Sequence, residues 1–409
     1  MTHPVEARRF GLARLRVAAR PGIYRGNRVE LLRNGEALFP QLLAAIAAAR
    51  RWVHLETYIF ARDNIGTRVA EALADAAGRG VRVELIVDGF GTGEYAQTLV
   101  EHLVPLGVAV RIYRPARWWR FERRMMRRLH RKLVVVDDDI AFVGGINIID
   151  DHHHPGAERG LLGPRFDYAV AVRGPLVAAV ALTARRLWWL LSVARRGPEG
   201  ARLPLPAIDP VRSLPGGVEA SLLLRDNFRN RRTIEHAYLA ALARARSEVL
   251  IACAYFVPGR RFRAALVAAA RRGARVQLLL QGRVEHAIWF HAQQAMYGQL
   301  LAAGIEIYLY QPSYLHAKAA VIDSDWATVG SSNIDPYSLL LAREANVVVY
   351  DRGFAEQLAA DIRAVIAGDS RQVKASDHAR RSRWVRVLNW MAYGFVRLAT
   401  RLIARDDPR

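Results

Sequence analysis

Ala- and Leu-rich stretches that close at a glycine alternate along this chain with short runs of Val, Ile and Leu, which predicts β-α-β units of an α/β fold. The helical stretches around 69–77 and 262–272 each stop at a glycine, as a helix C-terminus does. Residues 133–136 and 319–322 read as buried strands between turn residues. The pattern is written twice. Tyr58-Ile-Phe60 and Tyr255-Phe-Val257 are each followed by an Ala-rich stretch and then a glycine-led apolar run, 80–87 and 273–280. The runs 107–113 and 304–310 also correspond, each two residues short of a proline. Pro115 and Pro312 stand 197 residues apart but His130 and His316 only 186, so the first copy carries 11 extra residues between its proline and its histidine. Four blocks in one order indicate a duplication.

The expected organisation is an N-terminal arm (1–26), a first domain (27–196), a linker (197–217) with Pro198, Pro204, Pro206, Pro210 and Pro215, a second domain (218–367) and a tail (368–409). In the tail, Trp384, Val387, Leu388, Met391, Phe395, Leu398 and Leu402 recur at three- and four-residue steps. They form one apolar stripe of a helix flanked by Arg383, Arg386, Arg397 and Arg401, the pattern of a helix lying in a membrane surface or docked on its own protein.

Composition fits this reading. The chain has 409 residues, 52% of them apolar, which suits two core-forming domains and excludes a disordered chain. No apolar stretch reaches the roughly 18 uncharged residues of a membrane span, so a polytopic membrane protein is not expected. Residues 1–20 lack the apolar segment and cleavage pattern of a signal peptide. The lone Cys253 makes no intrachain disulfide and reads as core filler. Net charge is +22, which predicts an anionic partner: a lipid surface, nucleic acid or a phosphate-bearing substrate. Only Lys132, Lys318 and Lys374 are lysines, so each is a candidate for work that arginine cannot do.

Two of those three follow a histidine by two residues. The first copy reads His130-Arg-Lys132-x4-Asp137 and then Gly144-Gly145-Ile-Asn147. The second reads His316-Ala-Lys318-x4-Asp323 and then Gly330-Ser331-Ser332-Asn333. At the start of a strand, alternation sets His and Lys on one face. Imidazole attacks or protonates, ammonium neutralises a phosphate oxygen, and the asparagine amide adds a neutral donor.

These paired motifs, with 55–60, 87–91, 127–132, 142–147 and 329–335, resemble the phospholipase D superfamily and within it the short, B-type bacterial cardiolipin synthases that lack N-terminal membrane spans. The resemblance covers about residues 25–365. It implies a duplicated α/β/α sandwich with pseudo-two-fold symmetry and one shared site. His130 would be the nucleophile and His316 the acid/base, although the spacing alone does not choose between them. The motif residues Lys132, Asp137, Lys318 and Asp323 belong to the catalytic set, with the two aspartates better suited to turn or interhalf contacts than to substrate. Asn147, Asn333 and Ser332 would bind phosphate. A further carboxylate in each half would orient the imidazole: Asp167, 37 residues after His130, and Glu344, 28 after His316. Gly145, where the second copy has Ser331, is a departure. No metal or other cofactor is implied.

The reaction implied is phosphatidyl transfer between two phosphatidylglycerol molecules with release of glycerol. A phospholipase D-type hydrolase or a phosphodiesterase acting on nucleic acid is the alternative, and an idle anion-binding protein a third. The insertion, Arg117-Trp-Trp-Arg-Phe-Glu-Arg-Arg-Met-Met-Arg-Arg128, interleaves arginine with aromatic residues and methionine. It suits the headgroup layer of an anionic membrane, making nucleic acid a less favoured partner. A peripheral place on the cytoplasmic face of the inner membrane follows; the oligomeric state is left open. The run 187–191, with Trp188 and Trp189, suits membrane contact or a buried helix equally. His152, His153 and His154 beside Asp150 and Asp151 read as a polar loop rather than a metal site, because adjacent side chains point apart.

Overall fold

The computed structural model describes residues 22–115, 127–154, 162–196, 211–226, 230–380 and 382–404. The first half runs β1 (Tyr24–Arg33), α1 (Asn34–Ala48), β2 (Trp52–Thr57), α2 (Asn64–Gly78), β3 (Arg82–Asp88), α3 (Tyr95–Leu103), β4 (Ala109–Tyr113), β5 (Lys132–Val136), β6 (Ile140–Gly144), β7 (Tyr168–Arg173) and α4 (Leu176–Arg196). The second half runs β8 (Val218–Arg225), α5 (Thr233–Arg244), β9 (Glu248–Cys253), α6 (Arg260–Arg271), β10 (Arg275–Gln281), α7 (Ala287–Gln294), α8 (Tyr297–Ala302) and β11 (Glu306–Tyr310). It continues through β12 (Lys318–Ile322), β13 (Trp326–Gly330), α9 (Pro336–Leu340), β14 (Glu344–Tyr350) and α10 (Arg352–Gly368). After it come β15 (Ser370–Gln372), α11 (Ala375–Ala379) and α12 (Arg383–Ala404).

Outward from a β1–β8 seam the strands read β1-β7-β6-β5-β2-β3-β4 on one side and β8-β14-β13-β12-β9-β10-β11 on the other, so each strand faces its repeat equivalent across a pseudo-two-fold axis. The β2-β3-β4 and β9-β10-β11 blocks are parallel, as their intervening helices require, whereas β5-β6-β7 and β12-β13-β14 are antiparallel. The hairpins turn at Asp137–Asp138 and Asp323–Ser324, all four residues holding φ between 52° and 59°, a region Asp tolerates better than most side chains.

Alternation along the central strands divides the core. Leu133 and Val135 enter a core shared by both halves and covered by α4 and α10, while Val134 and Val136 face the layer under α1–α3. Ala319 and Val321 enter the same shared core, and Ala320 and Ile322 face the layer under α5–α8. Each buried Val or Leu stabilises this arrangement by about 1.5–3 kcal/mol, and the shared core makes the halves one packed body.

Some boundaries differ from expectation. β1 opens at Tyr24, inside the expected arm, because Tyr24 and Asn27 pair with β8. The tail begins by extending the second sheet, β15 pairing with β11. By length and composition α4 could cross a membrane, yet its Leu176, Val177, Val180, Ala181 and Ala184 lie in the shared core, and Leu187 and Trp189 are buried. The insertion lies outside the described residues except for Arg127 and Arg128.

Candidate active site

The two histidines sit just before β5 and β12, and each is held by the other half. Leu129 bridges Arg343, and the His130 N–H donates to Arg343 O at 3.0 Å. In reciprocal fashion Leu315 bridges Phe166, and the His316 N–H donates to Phe166 O at 2.7 Å. A polar residue closing a parallel strand fixes the preceding position in each copy: Leu129 N–H donates to Asp88 Oδ2 at 2.9 Å and Leu315 N–H to Gln281 Oε1 at 3.1 Å. Sequence reasoning gave Asp88 and Gln281 no role; the available signal was a polar residue before a glycine at the end of equivalent apolar runs, Asp88-Gly and Gln281-Gly.

The orienting carboxylates are exchanged. His130 Nδ1 lies 3.0 Å from Glu344 Oε1, and His316 Nδ1 lies 2.6 Å from Asp167 Oδ2. Order along the chain had set each carboxylate with the histidine of its own half; β14 and β7 instead carry them to the opposite one. A carboxylate on Nδ1 holds that ring proton and leaves Nε2 for chemistry. Ser331 Oγ donates to Glu344 Oε2 at 2.5 Å. At the matching position a Cβ on Gly145 would come 2.4 Å from Asp167 Oδ1, which explains the departure: the carboxylate of the shorter Asp occupies the space a serine needs.

Lys132 and Lys318 are buried, and each Nζ donates to the carbonyl of its own histidine, His130 O at 2.6 Å in the first copy and His316 O in the second. Burial pushes Lys132 down to about 7, opposed by Glu344 and reinforced by Lys318, and pushes Lys318 below its ordinary value as well. Burial lowers both imidazoles, His316 well below the ordinary value, and each feels both ammonium groups. That mutual influence places both motifs in one electrostatic environment. Asp167 is raised to about 6 by burial, with Lys318 acting against the rise.

Asn147 and Asn333 are buried beside these strands. Each Oδ1 accepts a backbone N–H, from Ile59 at 3.0 Å and Tyr255 at 3.4 Å, so the Nδ2 group is the end available to donate. Ser332 is buried beside Asn333, and its hydroxyl donates to Asn333 O at 3.3 Å. Asp137 and Asp323 fall outside the site. They lie five residues beyond their lysines along a strand, about 17 Å away. Asp137 accepts from the N–H groups of Arg50, Arg51 and Trp52 at 2.7–2.8 Å, and Asp323 from those of Arg246, Ser247 and Glu248 at 2.7–3.0 Å. These are turn contacts within each half.

A polar cluster absent from the sequence reading stands near His316. Arg165 of the first half pairs with Glu285 of the second at 3.5 Å, and Tyr255 Oη donates to Glu285 at 2.7 Å. Glu285 acts on His316 against the lowering effect of the cations. Its repeat equivalent is Thr92, so comparing the two copies could not reveal it. On the other side the Tyr58 ring packs 5.0 Å from His130, with Lys132 Nζ 5.4 Å from its centre. The three histidines of 152–154 diverge: His154 Nε2 bonds Gly163 O at 2.9 Å while His153 faces Asp63 at 3.5 Å.

The His-Lys pair and the asparagine of each copy fall inside matches to a known family, and Asp167 lies just beyond the first of them. The model described as "Cardiolipin synthase, PLD-like domain" matches residues 42–159 and 238–366. The chain is 37% identical over 385 residues to cardiolipin synthase B of Escherichia coli (strain K12), covering 91% of this chain and 88% of that protein. Cardiolipin synthase B of Shigella flexneri matches with the same identity and coverage. Among solved structures, the phosphatidylserine synthase of Haemophilus influenzae Rd KW20 superposes with a TM-score of 0.68 over 98% of this chain and 99% of that one. At 14% identity that likeness is one of fold.

Proposed function

The chain belongs to the cardiolipin synthase family of phospholipase D-like proteins, and from that premise we propose that it transfers a phosphatidyl group between two phosphatidylglycerol molecules to give cardiolipin and glycerol. The observation that carries the reading is the exchanged pairing of His130 with Glu344 and His316 with Asp167 around two buried lysines.

Neutral His130 Nε2 attacks phosphorus; an N–P bond forms as the P–O bond to the glycerol headgroup breaks. Protonated His316 Nε2 gives its proton to the departing alkoxide. A hydroxyl of the second phosphatidylglycerol then attacks phosphorus, breaking the N–P bond and returning a proton to His316. In the resting site both imidazoles are held toward neutrality by burial and by the lysines. A bound phosphodiester brings the negative charge that offsets those cations and lets His316 take up the proton it must donate. Lys132, Lys318 and the Nδ2 groups of Asn147 and Asn333 would hold the phosphoryl oxygens as negative charge grows on them.

The test is to incubate the purified protein with vesicles of labelled phosphatidylglycerol and separate the products. Cardiolipin with an equal amount of glycerol supports the proposal. Phosphatidic acid alone would make the protein a hydrolase, and cleavage of DNA with no lipid turnover would reject it.

A further inference from the structure

Helix α12 is docked by its less apolar side. It lies against α7 and α9, with Asn389, Ala392, Tyr393 and Val396 buried. Two polar bonds fix its rotation: Asn389 Oδ1 to His291 Nδ1 at 2.8 Å, and Arg263 Nη1 donating to Tyr393 Oη at 3.0 Å. At 100° per residue this pinning turns the apolar stripe outward. Trp384 is 82% exposed, Met391 66% and Phe395 61%, and Leu388 and Leu398 are open as well. So long a continuous apolar surface marks an interaction site.

The same wheel places Arg383, Arg386 and Arg397 together on one flank, between the docked side and the apolar stripe, with the Arg397 guanidinium 5.6 Å from the centre of the Tyr393 ring. Arg397 also lines a cleft of about 370 Å³ with Arg232, Arg260 and Arg261 against Glu235, floored by Pro336 and Leu339. An apolar stripe edged by arginines matches the chemistry of an acyl-chain layer under anionic headgroups, and a neutral protein surface would not need the charge.

The surface is at the active-site end. Helix α7 leaves the end of β10 just past Glu285, and α9 follows Asn333 by three residues. Val284 and Ile288, which flank Glu285 along the chain, are exposed apolar residues at this end as well. We propose that α12 is a membrane-docking helix that lies in the surface of an anionic phospholipid bilayer and, with the arginine cleft on phosphate headgroups, turns the site mouth toward the lipid. The proposal rests on phosphatidyl transfer only for its purpose; the surface itself is read from exposure and charge.

The experiment uses the full chain, sedimented with vesicles of phosphatidylcholine alone or of phosphatidylcholine and phosphatidylglycerol in equal amounts. Binding is expected only with the anionic vesicles, with a shift of tryptophan emission to the blue. The triple variant Trp384→Ser, Met391→Ser, Phe395→Ser is expected to bind at least about tenfold more weakly, and Arg260→Gln with Arg261→Gln to lose part of the salt dependence. Turnover of short-chain phosphatidylglycerol dispersed as monomers is expected to survive the triple variant, which separates loss of docking from loss of chemistry. If wild-type protein ignores anionic vesicles, or the triple variant binds them equally well, the proposal fails. It also fails if ultracentrifugation without lipid shows a stable dimer that the triple variant loses, because the stripe would then be covered by a second copy.

Discussion

Glu344 reaches His130 across 214 residues of chain and from the opposite half, at 3.0 Å, while Asp167 reaches His316 from the opposite half across 149 residues, at 2.6 Å. The carboxylates act through the imidazoles, as positioning residues. Glu344→Gln and Asp167→Asn keep size and one oxygen acceptor but allow the wrong tautomer. Each is expected to lower kcat by about 10²–10⁴ with KM and thermal midpoint little changed. A loss confined to stability, with kcat intact in the folded fraction, would contradict this role.

A covalent intermediate distinguishes the two histidines. With phosphatidylglycerol labelled in its phosphate, His130→Ala is expected to take up no protein-bound label. His316→Ala is expected to label slowly and retain an acid-labile adduct, because the partner that serves the second alcohol is missing. Steady-state turnover falls below detection in both. The opposite labelling pattern would exchange their roles.

Lys132, held at about 7, makes anion binding depend on pH near neutrality. Its cationic form predominates below that value, so the affinity for inorganic phosphate is expected to fall as pH rises through 7, by up to about tenfold per unit. Binding at pH 7.5 should be accompanied by net proton uptake, measurable by calorimetry in buffers of different ionisation enthalpy. Lys132→Gln is expected to bind phosphate weakly and with a flatter profile.

The motif aspartates separate stability from catalysis. Backbone N–H groups draw both Asp137 and Asp323 below the usual carboxylate range, although partial burial opposes them. With the folded value depressed, their stabilisation is present above the unfolded value near 4 and is lost as pH falls through the folded one. Asp137→Ala and Asp323→Ala are each expected to cost about 1–2 kcal/mol, measured by urea unfolding at pH 7. Both are expected to keep kcat within about twofold, since neither side chain approaches the histidines.

The duplication, the buried strands and the His-Lys pairs were legible because each leaves a local trace: a repeated block, an alternating run, two scarce lysines beside histidines. Partnership across the pseudo-two-fold axis leaves none. Asp167 and Glu344 were visible as carboxylates, but only the placement of β7 and β14 says which imidazole each meets. Asp88 and Gln281 hold equivalent backbone groups with different side chains, so comparing the copies hides their common task. Glu285 has no acidic counterpart, since its repeat equivalent is Thr92. The stripe on α12 was readable from spacing, yet which side docks was decided by Asn389 and Tyr393, two residues that hydrophobicity alone does not rank.

Exchange of the carboxylates also constrains ancestry. A single-copy forerunner of this chain would hold a histidine without its carboxylate and a carboxylate without its histidine, so it would work only when two chains met face to face. Joining the copies end to end turned that encounter from one that dilution weakens into one that dilution does not touch. It also freed the two sides to diverge, which is how Glu285 can stand where the other copy keeps a threonine.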